Sequence, residues 1–218
     1  MDMPDPDQTY PIRLPDGSRH QGTIHVNRML DHPNIDVGDY TYYSDFDPPA
    51  DGAALAARLA PYLFPNSSEM LRIGKFCQIA HGTRFITASA NHPAGLITSY
   101  PFQIFDPAHM ANYHPDERDT RIGNDVWLGY NSMVLPGATV GNGVIVGAGS
   151  VVRGDIPDYA VVIGNPAQVI RMRFPEAEIE TLNELAWWDW PAGKIAAHRL
   201  LIEGSDVTAL AKAAATPS

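Results

Sequence analysis

Three histidines, His92, His109 and His114, fall within one proline- and aromatic-rich stretch, Thr87 to Asp119. An imidazole titrates near neutral pH, at about 6.5 when unperturbed, so it suits a general base that removes a proton from a hydroxyl. The other route to group transfer is a thiol nucleophile, and the chain has one cysteine, Cys77. A lone cysteine excludes an intrachain disulfide and any multi-cysteine metal site, and it fits a reducing, cytoplasmic setting. A formal charge of -10 disfavours nucleic acid or an anionic membrane as a partner, since both are bound through clustered Lys and Arg. No apolar run approaches the roughly 20 residues of a membrane span, and the acidic first residues lack the basic start of a signal peptide.

The elements that must position these groups follow from a repeat of period six. Aliphatic or aromatic anchors stand at Ile73, Ile79 and Phe85, then at Ile122, Leu128, Val134, Val140, Val146 and Val152. Gly follows the anchor at Gly74, Gly123, Gly129, Gly141 and Gly147, and the fifth position is small or β-branched in Cys77, Thr83, Val126, Ser132, Ala138, Val144 and Ser150. A strand alternates with period two and a helix with period 3.6, so neither accounts for six. Short strands joined by tight corners do: each hexapeptide forms one side of a triangular prism, the anchor and fifth residue point inward, and Gly is expected to supply the conformational freedom of the corner. Stacked at about 4.8 Å, such coils bury ladders of anchors that no single coil can bury.

An earlier fragment, Ile35 to Thr41, places Val37 at 36 residues before Ile73, six whole units away, and reads as a preceding coil. Between them, residues 51–64 read as a helical insertion beside the stack. From Phe85 to Ile122 is 37 residues, which six does not divide, so a loop over about 87–119 leaves the prism; loops of that length usually carry function. After Val152 the repeat ends near Pro157 and a Gly164-Asn165-Pro166 turn. Helices are predicted over Glu176 to Trp187, Lys194 to Ile202 and Asp206 to Ala214, capping an end that would otherwise expose strand edges. The chain divides into a coil domain, 1–174, and a helical extension, 175–218.

These stretches resemble the hexapeptide-repeat acyltransferases, and within them the xenobiotic branch that includes type B chloramphenicol and streptogramin acetyltransferases. The resemblance rests on Val37-Gly38-Asp39-Tyr40-Thr41-Tyr42-Tyr43-Ser44, Ala90-Asn91-His92, Asp125-Val126-Trp127-Leu128-Gly129, Gly164-Asn165-Pro166-Ala167 and Ala186-Trp187-Trp188-Asp189-Trp190-Pro191. It implies an all-β solenoid, a left-handed parallel β-helix with a protruding loop and C-terminal helices, assembled as a homotrimer with active sites between subunits. General crossover rules alone would have suggested the right hand. It further implies acetyl transfer from acetyl-CoA to a hydroxyl of a small molecule, an antibiotic such as chloramphenicol or a streptogramin, with no metal.

By the same resemblance His92 aligns with the catalytic base, Trp127 stands near it, Tyr130 and Ala148 line the pantetheine arm, and Arg153 and Arg171 lie near the nucleotide end. Tyr43 and Ser44 are assigned to the acceptor pocket of the adjacent subunit. His109 and His114 lie farther out, as substrate contacts or solvent-exposed side chains, and His81 is expected to face outward from its coil. Cys77 holds an inward-facing position, where thiols are generally inert, so direct transfer is favoured over an acetyl-cysteine route. Trp187, Trp188 and Trp190 are expected to pack against the prism. Two other functions use the same architecture: a non-catalytic trimeric scaffold, and a γ-type carbonic anhydrase, whose zinc needs coil histidines where the regular hexads supply only His81.

Overall fold

The computed structural model describes residues 3–110 and 118–215; His114 lies outside the described residues. Its strands are short because a corner interrupts every hexapeptide. In chain order they are β1 (Thr23–His25), β2 (Ile35–Val37), β3 (Tyr42–Ser44), β4 (Leu71–Ile73), β5 (Gln78–Ile79), β6 (Arg84–Phe85), β7 (Thr120–Ile122), β8 (Trp127–Leu128), β9 (Met133–Val134), β10 (Thr139–Val140), β11 (Ile145–Val146), β12 (Val151–Val152), β13 (Asp155–Ile156), β14 (Ala160–Gly164) and β15 (Ala167–Met172). They form three sheets, ordered β1-β3-β5-β8-β11-β14-β15, β13-β10-β7-β4-β2 and β12-β9-β6. From β4 to β14 the chain visits the five-, seven- and three-stranded sheets in strict rotation, so each sheet is one face of a three-sided stack.

Within each face the pairing is parallel and in register with the hexads. Val37 pairs with Ile73, Ile73 with Ile122, and Ile122 with Val140. Tyr43, Ile79, Leu128, Val146 and Val162 form a second column, and Phe85, Val134 and Val152 a third. The columns are buried apart from the half-buried Val37, as are the fifth-position residues Cys77, Thr83, Val126, Ser132, Ala138, Val144 and Ser150. Each fully buried Val or Leu contributes about 1.5–3 kcal/mol. The seven-stranded sheet ends in antiparallel partners, β1 on β3 and β15 on β14.

The glycines do a different job from the one their position suggests. Left-handed backbone recurs three residues after the anchor, at Phe76, Asp125, Asn131, Gly137, Gly143 and Gly149, so several corners are turned by residues other than glycine. The Gly directly after the anchor answers to coil stacking instead. A Cβ on Gly129 would lie 2.6 Å from the Val146 carbonyl oxygen of the next coil, and one on Gly123 would lie 2.7 Å from the Asn142 nitrogen. Backbone that close admits no side chain.

One edge carries a polar ladder. The Lys75 amide donates to Asn124 Oδ1 (2.8 Å), the Asn124 amide to Asn142 Oδ1 (2.8 Å), and the Asn142 amide to Asp158 Oδ1 (2.5 Å). Beside β1 lies a short helix, α1 (Val26–Met29). The insertion forms α2 (Gly52–Leu59), whose N-terminal amide of Ala54 donates to Asp51. After the coil come α3 (Glu176–Leu185), α4 (Ala192–Ile202) and α5 (Val207–Ala214). The first is two residues shorter than predicted because Ala186 turns into the left-handed region. Asn183 of α3 donates to Asp158 at 2.9 Å, tying the extension to the ladder. Trp188 is buried, Trp187 packs on Phe76 with centroids 4.9 Å apart, and Lys75 pairs with Asp189 at 2.9 Å. No helix among the described residues is long and apolar enough to cross a membrane.

Two single substitutions separate the glycine roles. Gly149→Ala, which meets nothing within 4 Å but keeps a φ of +67°, is expected to cost about 1–2 kcal/mol in denaturant unfolding. Gly129→Ala is expected to cost more despite an ordinary φ; equal midpoints would contradict the stacking explanation.

Candidate active site

The long loop starts after β6 in the three-stranded sheet and returns at β7 in the five-stranded sheet, so it springs from the edge between those two faces. Its root is rigid. Thr87 and Ala88 are buried, the Ser89 amide donates to Glu69 Oε1 at 2.7 Å, and residues Ala88–Ala90 form a 3-10 turn closed by the Asn91 amide on the Ala88 carbonyl. His92 follows directly and is exposed, with Nδ1 3.0 Å from the Ser99 carbonyl oxygen. A carbonyl only accepts, so Nδ1 carries the proton and Nε2 carries the lone pair a general base needs. His109 is held likewise, Nδ1 to Asp106 Oδ2 at 2.6 Å, with both side chains solvent-exposed.

Trp127 lies on the seven-stranded sheet, the face opposite the edge that bears the loop, and points outward at 50% exposure. One chain therefore does not bring His92 and Trp127 together. Tyr130 and Ala148 occupy the edge between the seven- and three-stranded sheets, in successive coils joined by the Gly149 amide donating to the Tyr130 carbonyl at 2.8 Å. Arg153 follows β12 on the same edge as the loop, and Arg171 lies on β15, paired with Val161. Both arginines are exposed.

Tyr43 does not face a substrate groove. Its side chain is fully buried as a column anchor, opposite Ile24 and Ile79. The alternation of β3 turns Tyr42 and Ser44 outward instead, into a groove of about 670 Å³ shared with His25, Gln78, Trp187 and Arg199. The signal was available in the sequence, because Tyr43 lies 36 residues before the anchor Ile79.

A second imidazole cluster had no sequence motif. Asp45, whose side chain has no exposure, receives His81 Nδ1 at 2.6 Å and Arg58 Nη1 at 2.5 Å, and its Oδ1 accepts the Asp47 amide at 2.9 Å. Burial alone would raise this carboxyl; the Asp47 amide and the Arg58 and His81 side chains outweigh it and hold it at about 2. Asp45 and His81 are also 36 residues apart, the same hexad position in neighbouring coils. Cys77 sits inside the prism, its Sγ 3.1 Å from the Gly123 carbonyl oxygen, and burial pushes its thiol up to about 12. Among the described residues no three His, Cys, Asp or Glu side chains converge as a metal site.

Residues 119–154 match the model of the bacterial transferase hexapeptide family (six repeats). A chloramphenicol acetyltransferase of Agrobacterium fabrum is 37% identical over 193 residues, 86% of this chain and 90% of that protein. A probable macrolide acetyltransferase of Lysinibacillus sphaericus is 42% identical over 132 residues, 58% of this chain and 73% of that protein. A hexapeptide-repeat acetyltransferase of Vibrio cholerae, solved with acetyl coenzyme A, superposes with a TM-score of 0.41 at 25% identity over 64% of this chain and 61% of that one. The chain belongs to the hexapeptide-repeat xenobiotic acetyltransferases, and it is an enzyme of that class.

Two outcomes follow from the buried groups. Because the folded-state pKa of Asp45 is depressed, its contribution to stability is fully present above the unfolded carboxyl range near 4 and is lost as pH falls toward about 2; Asp45→Asn should flatten that limb of the acid-unfolding curve. Native protein should give no rapid reaction of Cys77 with a thiol reagent, and Cys77→Ala should keep acetyl transfer within about threefold of wild type.

Proposed function

We propose that the chain is an acetyl-CoA-dependent O-acetyltransferase acting in the cytoplasm on a hydroxyl of a small antibiotic of the chloramphenicol or streptogramin kind, with His92 as general base. The observation that carries the assignment of the base is the fixed tautomer of His92: with Nδ1 turned to the Ser99 carbonyl, Nε2 is the proton acceptor. His92 takes the proton of the acceptor hydroxyl as that oxygen attacks the thioester carbonyl, and returns it to the departing thiolate. Transfer is direct, because Cys77 is buried with its thiol held protonated.

The acetyl donor lies along the edge bearing Tyr130 and Ala148, where a side chain on Gly149 would meet nothing within 4 Å, so the ledge has room for a slender pantetheine arm. Arg153 and Arg171 supply cations for its phosphates. The outward Ser44, with Tyr42, lines the acceptor groove; that groove, rather than Tyr43, is the acceptor contact we assign on this strand. His109 contributes a polar contact to the acceptor from the loop.

The working form we propose is a homotrimer of left-handed parallel β-helices, residues 1–174, each with a helical extension, 175–218. Two features support it. His92 and the Trp127 face are on opposite sides of one prism, so a second copy completes the site, and the loop displays Leu96, Ile97, Phe102 and Phe105 at 54–110% exposure, an apolar surface that a neighbouring copy would cover.

Thiol release from acetyl-CoA, followed with chloramphenicol and a group A streptogramin as acceptors, tests the reading. His92→Ala should lower kcat by about a hundredfold or more with little change in the Kd for CoA. Retained activity in that variant would move the base elsewhere, and a monomeric mass in solution would remove the shared-site geometry.

A further inference from the structure

Asp45, His81, Tyr130 and Ala148 occupy one hexad position in four successive coils, each two residues beyond its column anchor: Tyr43, Ile79, Leu128 and Val146. Such positions stack along the axis at about 4.8 Å per coil, forming a continuous line on one edge. His81 is locked in that line. Its ring lies against Tyr130 with centroids 5.7 Å apart and planes 22° apart, and against Phe46 at 4.9 Å. Phe46 is 85% exposed and Tyr130 48%, so the three rings make an aromatic ledge open to solvent.

The tautomer of His81 is set from beneath. Asp45 is buried and gripped by Arg58 and by the Asp47 amide, so it cannot turn away from the ring. An ionised carboxylate only accepts, so the 2.6 Å contact requires the proton on Nδ1. The Phe46 amide, 3.4 Å from the same nitrogen, is too distant to compete. In the neutral ring Nε2 is then an acceptor, and it makes no hydrogen bond among the described residues, while the side chain keeps 29% exposure. A ring braced on three sides, with its one acceptor directed away from the brace, is built to receive a hydrogen-bond donor.

We propose that His81 is a binding residue for the acyl donor, its Nε2 accepting an amide N–H of the pantetheine arm. This rests on the reading that acetyl-CoA lies along the Tyr130–Ala148 edge. An extended arm running down that edge presents amide N–H groups to the next position in line, which is His81. Asp45 is the positioning residue, acting through the imidazole. An acceptor hydroxyl offers the same donor chemistry, but it would have to reach the line ahead of the arm that follows it.

The test compares wild type with His81→Phe, which keeps a ring for the stack and removes Nε2, and with His81→Gln, which can return an acceptor oxygen. Kd for CoA is measured by calorimetry, KM for acetyl-CoA and for chloramphenicol by thiol release, and Tm by thermal unfolding. The Phe variant should weaken CoA about tenfold and raise KM for acetyl-CoA alike, the Gln variant should recover much of the loss, and KM for chloramphenicol should stay within about twofold. If both variants bind CoA as wild type does while Tm falls, the pair is only a structural tie and the proposal is overturned. A loss confined to chloramphenicol would overturn it in favour of an acceptor contact. Failure of wild type itself to bind CoA would overturn the donor reading and this inference with it.

Discussion

The close approach of one coil to the next governs everything else in this molecule. The backbone of each hexapeptide is hydrogen-bonded to the hexapeptides stacked above and below it, as when the Gly129 amide donates to Val146 and the Gly147 amide to Val162. At Gly123 and Gly129 that spacing forbids a side chain after the anchor, and along the stack it brings identical hexad positions into columns. Inside, the columns are mostly aliphatic, with Tyr43 and Phe85 among them, and form the core. Outside, they place residues distant in sequence on one line, which is how Asp45 comes to lie beside His81, with Tyr130 one coil further on.

The stack tolerates interruption only where the register can be resumed. β4 pairs directly with β7, so Ile73 meets Ile122 one coil on as though the loop had been excised. The loop can therefore vary freely in length and composition without disturbing a single column, and chemistry can be carried on it. Its root cannot vary in the same way: Glu69, reaching the Ser89 amide, and the buried Thr87 and Ala88 hold the residues that precede His92. A histidine at the end of such a root combines a fixed origin with an exposed ring, and the opposite face of the prism carries Trp127.

Polar groups at the edges follow the same logic as the core. Asn124, Asn142 and Asp158 each accept from the backbone amide of the preceding coil, so an edge that would leave amides unpaired becomes a ladder. The last rung, Asp158, is also held by Asn183, and the helical extension thereby returns along the coil until Asp189 meets Lys75 near its beginning. The groove that receives Tyr42 and Ser44 exists because that extension folds back over the first coils.

The sequence by itself determined the period, the inward positions, the exit of the loop at an edge and the helices that follow, because a hexad repeat is a local pattern with a single packing solution. It also marked His92, through the point where the repeat fails. The inward turn of Tyr43 was legible too, since its distance from Ile79 is a whole number of repeats, although the Tyr-Tyr-Ser run drew attention to the wrong ring. What only the tertiary structure decided was the partnership of side chains. Burial and the triple hold on Asp45, the brace it gives His81, and the separation of His92 from Trp127 depend on which face and which coil each residue reaches. Those relations are set by stacking and by the return of the C-terminal helices, and no spacing along the chain encodes the tautomer of a ring or the room left beside it.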